Sequence, residues 1–246
     1  MPVFFIQAKD VADGIVKIQD PLLHHLSKSL RIRVGEPLTL NDERKRRYFT
    51  TVVDLQPSAL LAKVERVIDG RISGTPPIIL GQALLKGEKM SWVVQKGTEL
   101  GIAALAPLST DHAVPRVGPE SVSRQQERWE RIALEAAQQS ERWERPLILP
   151  PCPLQEFLRT HEEEGSTIIV LAERQQKNPI KDLPLLKKSP KPICLLIGPE
   201  GGWSNKEKDM FETQNCLYAT LGETILRAET ASLAAVAILQ ACLEKI

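Results

Sequence analysis

A glycine-rich turn directly follows an apolar run in the last quarter of the chain. Residues 193–197 predict a buried strand, and Gly198-Pro199-Glu200-Gly201-Gly202 comes next. Glycines let a backbone approach a ligand closely, and open α/β sheets bind small molecules beyond the carboxyl ends of their strands. The spacing matches neither the dinucleotide fingerprint nor the P-loop. The turn therefore indicates a ligand site of another kind, or a tight turn without a ligand before a helix capped by Ser204 and Glu207.

A second polar cluster follows the next predicted strand and opens a helix. Arg227, Glu229 and Thr230 stand at the start of a helix predicted over residues 229–243, which is apolar nearly all round. Such a helix is buried, so the polar residues at its start lie beside a covered end of the sheet. The same residues could simply cap the helix and complement its dipole. Two such loops after neighbouring strands favour a shared pocket.

Two groups of cations could meet a phosphate backbone. Lys89 and Lys96 lie two turns apart on the polar face of a predicted helix, a placement that suits phosphate contacts or an ordinary solvated face. Residues 24–47 hold seven cations and three carboxylates, and Arg44-Lys45-Arg46-Arg47 is expected at a hairpin tip. That tip could reach RNA or remain in solvent.

Composition limits the class of protein. The 246 residues carry a net charge of +1, so a nucleic-acid contact must come from a local patch and not from the field of the whole chain. The four cysteines are at least 22 positions apart, which excludes a Cys-x-x-Cys zinc site and suits a reducing, cytoplasmic setting. Neither a signal peptide nor an apolar run long enough for a bilayer is evident, so we expect no membrane association.

The order of predicted strands and helices along the chain indicates two regions, 1–72 and 73–246. The first reads as short strands with one helix opened by Asp20 and Pro21, which suggests a small β barrel. The second alternates strands and helices, and its apolar strands predict a parallel sheet covered on both faces. The fold class is therefore α/β with a small β domain, and spacing alone favours a doubly wound sheet. Residues 174–191 are predicted to form an exposed loop.

The motifs taken together resemble one family. Residues 196–202 (Leu-Ile-Gly-Pro-Glu-Gly-Gly) and 221–231 (Leu-Gly-x-x-Ile-Leu-Arg-x-Glu-Thr-Ala) are similar to the paired signature of the RsmE family, ribosomal RNA methyltransferases of the SPOUT superfamily. The resemblance extends to residues 24–31, 95–101 and 135–142. It departs at residues 41–47, at residues 111–116 and at Gln138, positions that bear on RNA contacts.

This resemblance implies a fold and an activity. The fold is a PUA-like N-terminal barrel and a C-terminal domain with a deep trefoil knot, in a cytoplasmic homodimer without a metal. The activity is methyl transfer from S-adenosylmethionine to N3 of one uridine in small-subunit (16S) ribosomal RNA. The net charge of only +1 leads us to expect an assembled or nearly assembled subunit as the substrate, and not free RNA. The implied cofactor-binding residues are Leu171, Ala172, Glu173, Gly198, Pro199, Glu200, Gly201, Gly202, Leu221, Gly222, Ile225 and Leu226.

Roles for the remaining residues follow from that reaction. Arg227 is expected to stabilise the uracil anion or a phosphate, and Glu229 to orient Arg227 or relay the proton. The expected contacts to rRNA are Arg31, Arg33, Lys89, Lys96 and Arg142. Three alternatives stay open at this point: a methyltransferase with another RNA target, a non-catalytic RNA-binding scaffold, and a nucleotide-binding oxidoreductase.

Overall fold

The computed structural model describes residues 2–70, 74–113, 119–172, 178–183 and 191–243. The chain forms two compact units, Met1–Ile72 with Ala137–Glu144, and Ser73–Ala136 with Arg145–Ile246. The first unit thus includes residues 137–144, which the prediction of two domains, 1–72 and 73–246, placed in the second domain. No described helix has the length and apolar content that crossing a membrane would require.

The first unit is built on a mostly antiparallel six-stranded sheet. Its strand order is β1-β4-β5-β6-β3-β2, and only the β1–β4 pair is parallel. Alternate residues of these strands face one core, as Leu38 and Leu40 do, because side chains on a strand alternate between its faces. The predicted small β domain is confirmed. The strands are β1 Val3–Phe5, β2 Val11–Ala12, β3 Ile15–Ile18, β4 Pro37–Asn41, β5 Arg46–Gln56 and β6 Ala59–Asp69.

One helical segment interrupts this sheet. Helix α1, Leu22–His24, continues as a π-helical turn over His25–Ser29. The Asp20 carboxylate accepts a hydrogen bond from the backbone N–H of His24 at 3.1 Å, which satisfies a donor at the helix start. Leu23 and Leu26 are buried against the sheet, whereas Leu30, which continues the same helical spacing of leucines, is 49% exposed.

The second unit contains a seven-stranded sheet in which every pair is parallel. The order is β10-β8-β7-β12-β11-β13, and β9 pairs with β8. The strands are β7 Ile78–Ala83, β8 Ala104–Ser109, β9 Leu147–Ile148, β10 Cys152–Pro153, β11 Thr167–Leu171, β12 Ile193–Ile197 and β13 Leu217–Ala219. All five residues of β12 are buried, as expected of a central strand covered on both faces.

Helices of this unit supply the two covering layers. They are α2 Lys89–Glu99, α3 Pro119–Gln139, whose last three residues belong to the first unit, α4 Leu154–Glu163, α5 Asn205–Thr213 and α6 Ala228–Cys242. Leu195 of β12 belongs to a core with residues of α2 and α6, and its neighbour Leu196 to a core with residues of α4 and α5. The predicted parallel sheet with two covered faces is confirmed.

One loop prediction is wrong where the structure describes the chain. Ile180 lies in a single 3-10 turn, Ile180–Asp182, and is only 1% exposed. Pro179 forms a bridge with Thr220 beyond β13. Apolar burial and backbone pairing therefore hold residues 178–183 against the sheet. The rest of the predicted loop, except Lys191, lies outside the described residues.

Candidate functional site

A cavity of about 580 Å³ lies beyond the carboxyl ends of β11, β12 and β13, which are adjacent in the sheet. Three loops line it, one from each strand, because parallel strands bring their carboxyl ends to the same edge. Its lining residues are Leu171, Ala172, Ile197, Gly198, Pro199, Glu200, Gly201, Gly202, Trp203, Lys208, Ala219, Thr220, Leu221, Gly222, Thr224, Ile225, Leu226, Arg227, Ala228 and Ala231. Its size is in the range of small-molecule sites.

The glycine-rich loop is held tightly at both ends. Trp203 donates a hydrogen bond from Nε1 to the carbonyl of Leu171 at 3.1 Å, which joins the loops after β12 and β11. A Cβ on Gly198 would lie 3.1 Å from Trp203 Cε2, so the backbone passes close to this indole. Gly202 has a φ of +71°, a conformation that favours glycine.

The predicted capping box of α5 is present. The Ser204 hydroxyl accepts from the N–H of Glu207 at 3.2 Å, and the Glu207 carboxylate accepts from the N–H of Ser204 at 2.8 Å. Each side chain satisfies one backbone donor that the helix start would leave unpaired. This box fixes the point at which the glycine-rich loop becomes a helix.

The loop after β8 contacts the end of the glycine-rich loop through two side chains. His112 Nδ1 lies 3.0 Å from the carbonyl oxygen of Gly202, and Ser204 donates to the Asp111 carboxylate at 2.6 Å. Because a carbonyl oxygen only accepts, this contact places the proton on Nδ1. Sequence reasoning gave His112 no role, since nothing near it in the sequence signals a contact 90 residues away.

The loop after β13 brings Arg227 to the cavity and leads into α6. The Arg227 side chain is exposed and lines the cavity, and α6 begins at Ala228. The Glu229 side chain is 16% exposed, and its Oε2 is buried. Among the residues that the structure describes, no ion pair joins Glu229 to Arg227, so the structure does not support the expectation that Glu229 orients Arg227.

Lys89 provides the ion pair of Glu229. Its Nζ lies 2.6 Å from Glu200 Oε1 and 3.7 Å from Glu229 Oε2. The hydrogen bond from Lys89 lowers the pKa of the Glu200 carboxyl, and the same bond raises the pKa of Lys89. The structure thus brings Lys89, expected at the RNA surface, to two carboxylates beside the cavity.

The other cations of the predicted RNA set lie elsewhere. Arg31 and Arg33 are exposed in the first unit. Lys96 forms an ion pair with Glu99 at 2.7 Å, and its Nζ lies 5.2 Å from the centre of the Trp92 ring. Burial lowers the pKa of the Arg142 guanidinium to about 10. None of these four residues lines the cavity.

The basic turn near residues 44–47 is organised around a buried carboxylate. Asp42 is 2% exposed and accepts from the backbone N–H groups of Arg44 and Arg46 and from the Tyr48 hydroxyl. The Arg47 guanidinium stacks over Trp143, with its Cζ 4.2 Å from the ring centre. The guanidinium groups of Arg46 and Arg47 therefore have structural partners within the first unit, a use that neither of the two predicted alternatives included.

The predicted cofactor residues converge on one place. All of them line the cavity except Glu173, which lies outside the described residues. The cavity also uses residues that the motifs did not single out, among them Thr220, Thr224 and Lys208. No group of His, Cys, Asp and Glu suited to a metal ion occurs in the described part of the chain.

Comparison with known proteins gives consistent results. A family model described as an RNA methyltransferase domain matches residues 73–240. Ribosomal RNA small subunit methyltransferase E of Bacillus subtilis is 33% identical over 159 residues, which are 63% of this chain and 62% of that protein, so the match spans less than two thirds of that relative.

Two solved structures match nearly the whole chain. The ribosomal RNA small subunit methyltransferase E of Neisseria gonorrhoeae, bound to S-adenosylmethionine, is 28% identical with a TM-score of 0.85 and covers 98% of this chain and 97% of that one. A candidate methyltransferase of Legionella pneumophila, in complex with the same cofactor, is 27% identical with a TM-score of 0.85 and covers 98% of both.

These findings confirm the resemblance to the RsmE family and the predicted SPOUT-type fold class. They also exclude the oxidoreductase alternative, for which the dinucleotide fingerprint is absent. The matched residues form most of the second unit and include all three loops of the cavity. The chain belongs to the RNA methyltransferase domain family.

Proposed function

We propose that this enzyme transfers the methyl group of S-adenosylmethionine to N3 of one uridine in the ribosomal RNA of the small subunit. The observation that carries the proposal is the convergence of three strand-end loops on one cavity in a chain of this family. Relatives that match most of this chain are named as small-subunit methyltransferases, and the Neisseria structure has the cofactor bound.

The cavity fits such a cofactor by its size and its lining. Residues 198–202 line it together with residues 219–222 and 224–226, and the apolar residues Leu171, Ile225 and Leu226 would provide a surface for a nucleoside. When bound, S-adenosylmethionine supplies a methyl group on a positively charged sulfur. The residues proposed to hold it are those of the three loops, from Leu171 and Ala172 to Leu226.

The remaining chemistry concerns the uracil. N3 has a lone pair for attack only after its proton leaves, so the site must favour the anion and accept the proton. Arg227 is exposed at the cavity and would stabilise the developing negative charge. Glu229 does not itself line the cavity, but it directly follows Arg227 and Ala228, which do, and its carboxylate would receive the proton that leaves N3.

We assign binding of the RNA to cations that do not line the cavity. Arg31 and Arg33 would contact phosphates through the first unit, and Lys96 and Arg142 remain in the proposed set. A local contact surface suits a net charge of only +1. We also propose a cytoplasmic homodimer that acts on an assembled or nearly assembled subunit.

Methyl transfer to small ribosomal subunits tests the proposal directly. Labelled S-adenosylmethionine is incubated with the enzyme and with subunits from cells that lack the modification, and the nucleosides are identified by mass spectrometry. The expected product is N3-methyluridine at a single site. A different methylated nucleoside would mean that the enzyme is a methyltransferase with another RNA target. Absence of cofactor binding in calorimetry would favour the non-catalytic scaffold.

A further inference from the structure

Lys89 lies between two carboxylates that belong to different loops of the site. Glu200 comes from the glycine-rich loop after β12, and Glu229 from the first turn of α6. The Lys89 ammonium is 2.6 Å from one and 3.7 Å from the other. A single cation at the start of α2 therefore connects the loop that lines the cavity to the residue proposed to accept the proton.

The Glu229 carboxylate depends on this contact. Its Oε2 is buried and accepts no hydrogen bond from the described residues. A buried charged oxygen without a partner is unfavourable, and among the described residues Lys89 is the cation within ion-pair distance of it. Removing the ammonium would leave the carboxylate free to rotate or to draw in another partner, and would also release Glu200.

The same geometry makes Lys89 a poor phosphate ligand. Its Nζ already donates a short hydrogen bond to Glu200, and a second carboxylate lies close by. An RNA phosphate would have to compete with two negative charges and would be repelled by both. Lys96, on the same helix, has a single carboxylate partner three residues away.

We infer that Lys89 is a positioning residue, which holds the Glu229 carboxylate in place for the proton of uracil N3 and ties the glycine-rich loop to it. This inference rests on the proposed function, since it gives Lys89 a role through Glu229. Misplacing a reacting group by about 1 Å can cost roughly 100-fold in rate. Loss of Lys89 should therefore lower turnover and leave RNA binding intact.

The test compares five variants with the wild-type enzyme. Lys89→Gln removes the charge, Lys89→Arg keeps it, and Glu229→Gln is made alone and together with Lys89→Gln. Lys206→Gln is the matched control, because Lys206 is an exposed lysine of α5 that does not line the cavity. The readouts are kcat and KM for N3-methyluridine formation on small subunits, the Kd of S-adenosylmethionine, thermal unfolding, and the salt dependence of RNA binding.

We expect Lys89→Gln to lower kcat about 10-fold or more, with an unchanged salt slope and a KM for RNA within about twofold of wild type. Lys89→Arg should recover most of the rate, and Lys206→Gln should match wild type. In the double variant, the Lys89→Gln change should add little to the defect of Glu229→Gln, because coupled residues are not additive. Unfolding temperatures near that of wild type would show that the loss is not one of folding.

Three results would overturn the inference. One is a salt slope lowered by about one with kcat intact, which would make Lys89 a phosphate contact. Another is a double variant whose defect is the product of the two single defects. The third is a wild-type rate for Lys89→Gln. Failure of the proposed function is distinguishable, since the wild-type enzyme would then form no N3-methyluridine.

Discussion

Replacing Gly198 by alanine should disturb the cavity through Trp203. The added Cβ would lie 3.1 Å from Cε2 and 3.3 Å from Nε1 of that indole, closer than ordinary van der Waals contact. Trp203 has little room to move, since it is 8% exposed and packs edge-on against Phe211 with 5.0 Å between ring centres. Its Nε1 also donates to the carbonyl of Leu171 in the neighbouring loop.

The magnitude follows from those contacts. Overpacking a well-filled site costs about 1–3 kcal/mol, and a lost indole hydrogen bond adds about 1 kcal/mol. For a chain of this size each kcal/mol lowers Tm by about 2–4 °C, so Gly198→Ala should unfold roughly 4–16 °C below wild type. Affinity for S-adenosylmethionine should fall as well, because Leu171 and Trp203 both line the cavity.

Differential scanning calorimetry and titration calorimetry with S-adenosylmethionine measure the two effects. The control is Gly202→Ala in the same loop: no atom lies within 4 Å of its added Cβ, and only its φ of +71° opposes the change, at about 1–2 kcal/mol. Making Gly198→Ala in a Trp203→Ala background should cost less than in the wild type, since the indole atoms that the added Cβ would contact are gone. An equal cost in both backgrounds would refute the role given to Trp203.

Three further changes have defined outcomes. Arg227→Ala should lower kcat about 100-fold with unchanged cofactor Kd; wild-type turnover in a folded dimer would contradict its role. Asp42→Asn should destabilise the protein at pH 7 in urea titrations. Burial raises the pKa of Asp42, but hydrogen bonds from Arg46, Tyr48 and Arg44 more than offset this and hold the pKa below its ordinary value. The stabilisation by Asp42 is therefore lost as pH falls through the lowered pKa. If the wild type and Asp42→Asn still differed as much in unfolding free energy at the lowest pH, this reasoning would be contradicted. Ser204→Ala should cost about 1 kcal/mol of unfolding free energy through the lost cap; no change would argue against the capping box.

The sequence predicted those elements of the second unit whose form depends on residues close to one another in the chain. The run Ile193–Ile197 was predicted with the ends that the structure has, since it is an apolar run of five residues bounded by Pro192 and by the glycine-rich turn. The capping box of Ser204 and Glu207 was also predicted, because both partners lie within one helical turn.

Elements that depend on distant partners were missed. Strands β9 and β10 have two residues each, too few for any periodicity, and they exist because β8 offers backbone groups to pair with. Ile180 was predicted in an exposed loop because lysines and prolines surround it, yet its side chain packs into the core beneath. Asp42 was counted as one acid among cations, whereas its burial makes it the centre of the turn.

The two lysines of α2 show where this limit affects function. Helical spacing placed Lys89 and Lys96 on one polar stripe, and it assigned them one role. A stripe defines the direction in which side chains leave a helix, and it says nothing about what lies opposite. Lys96 meets a carboxylate of its own helix, whereas Lys89, at the helix start, meets carboxylates 111 residues and 140 residues further along the chain. Only the arrangement of the strand ends brings those groups together, so equal spacing in the sequence gave no basis for assigning the two lysines an equal role.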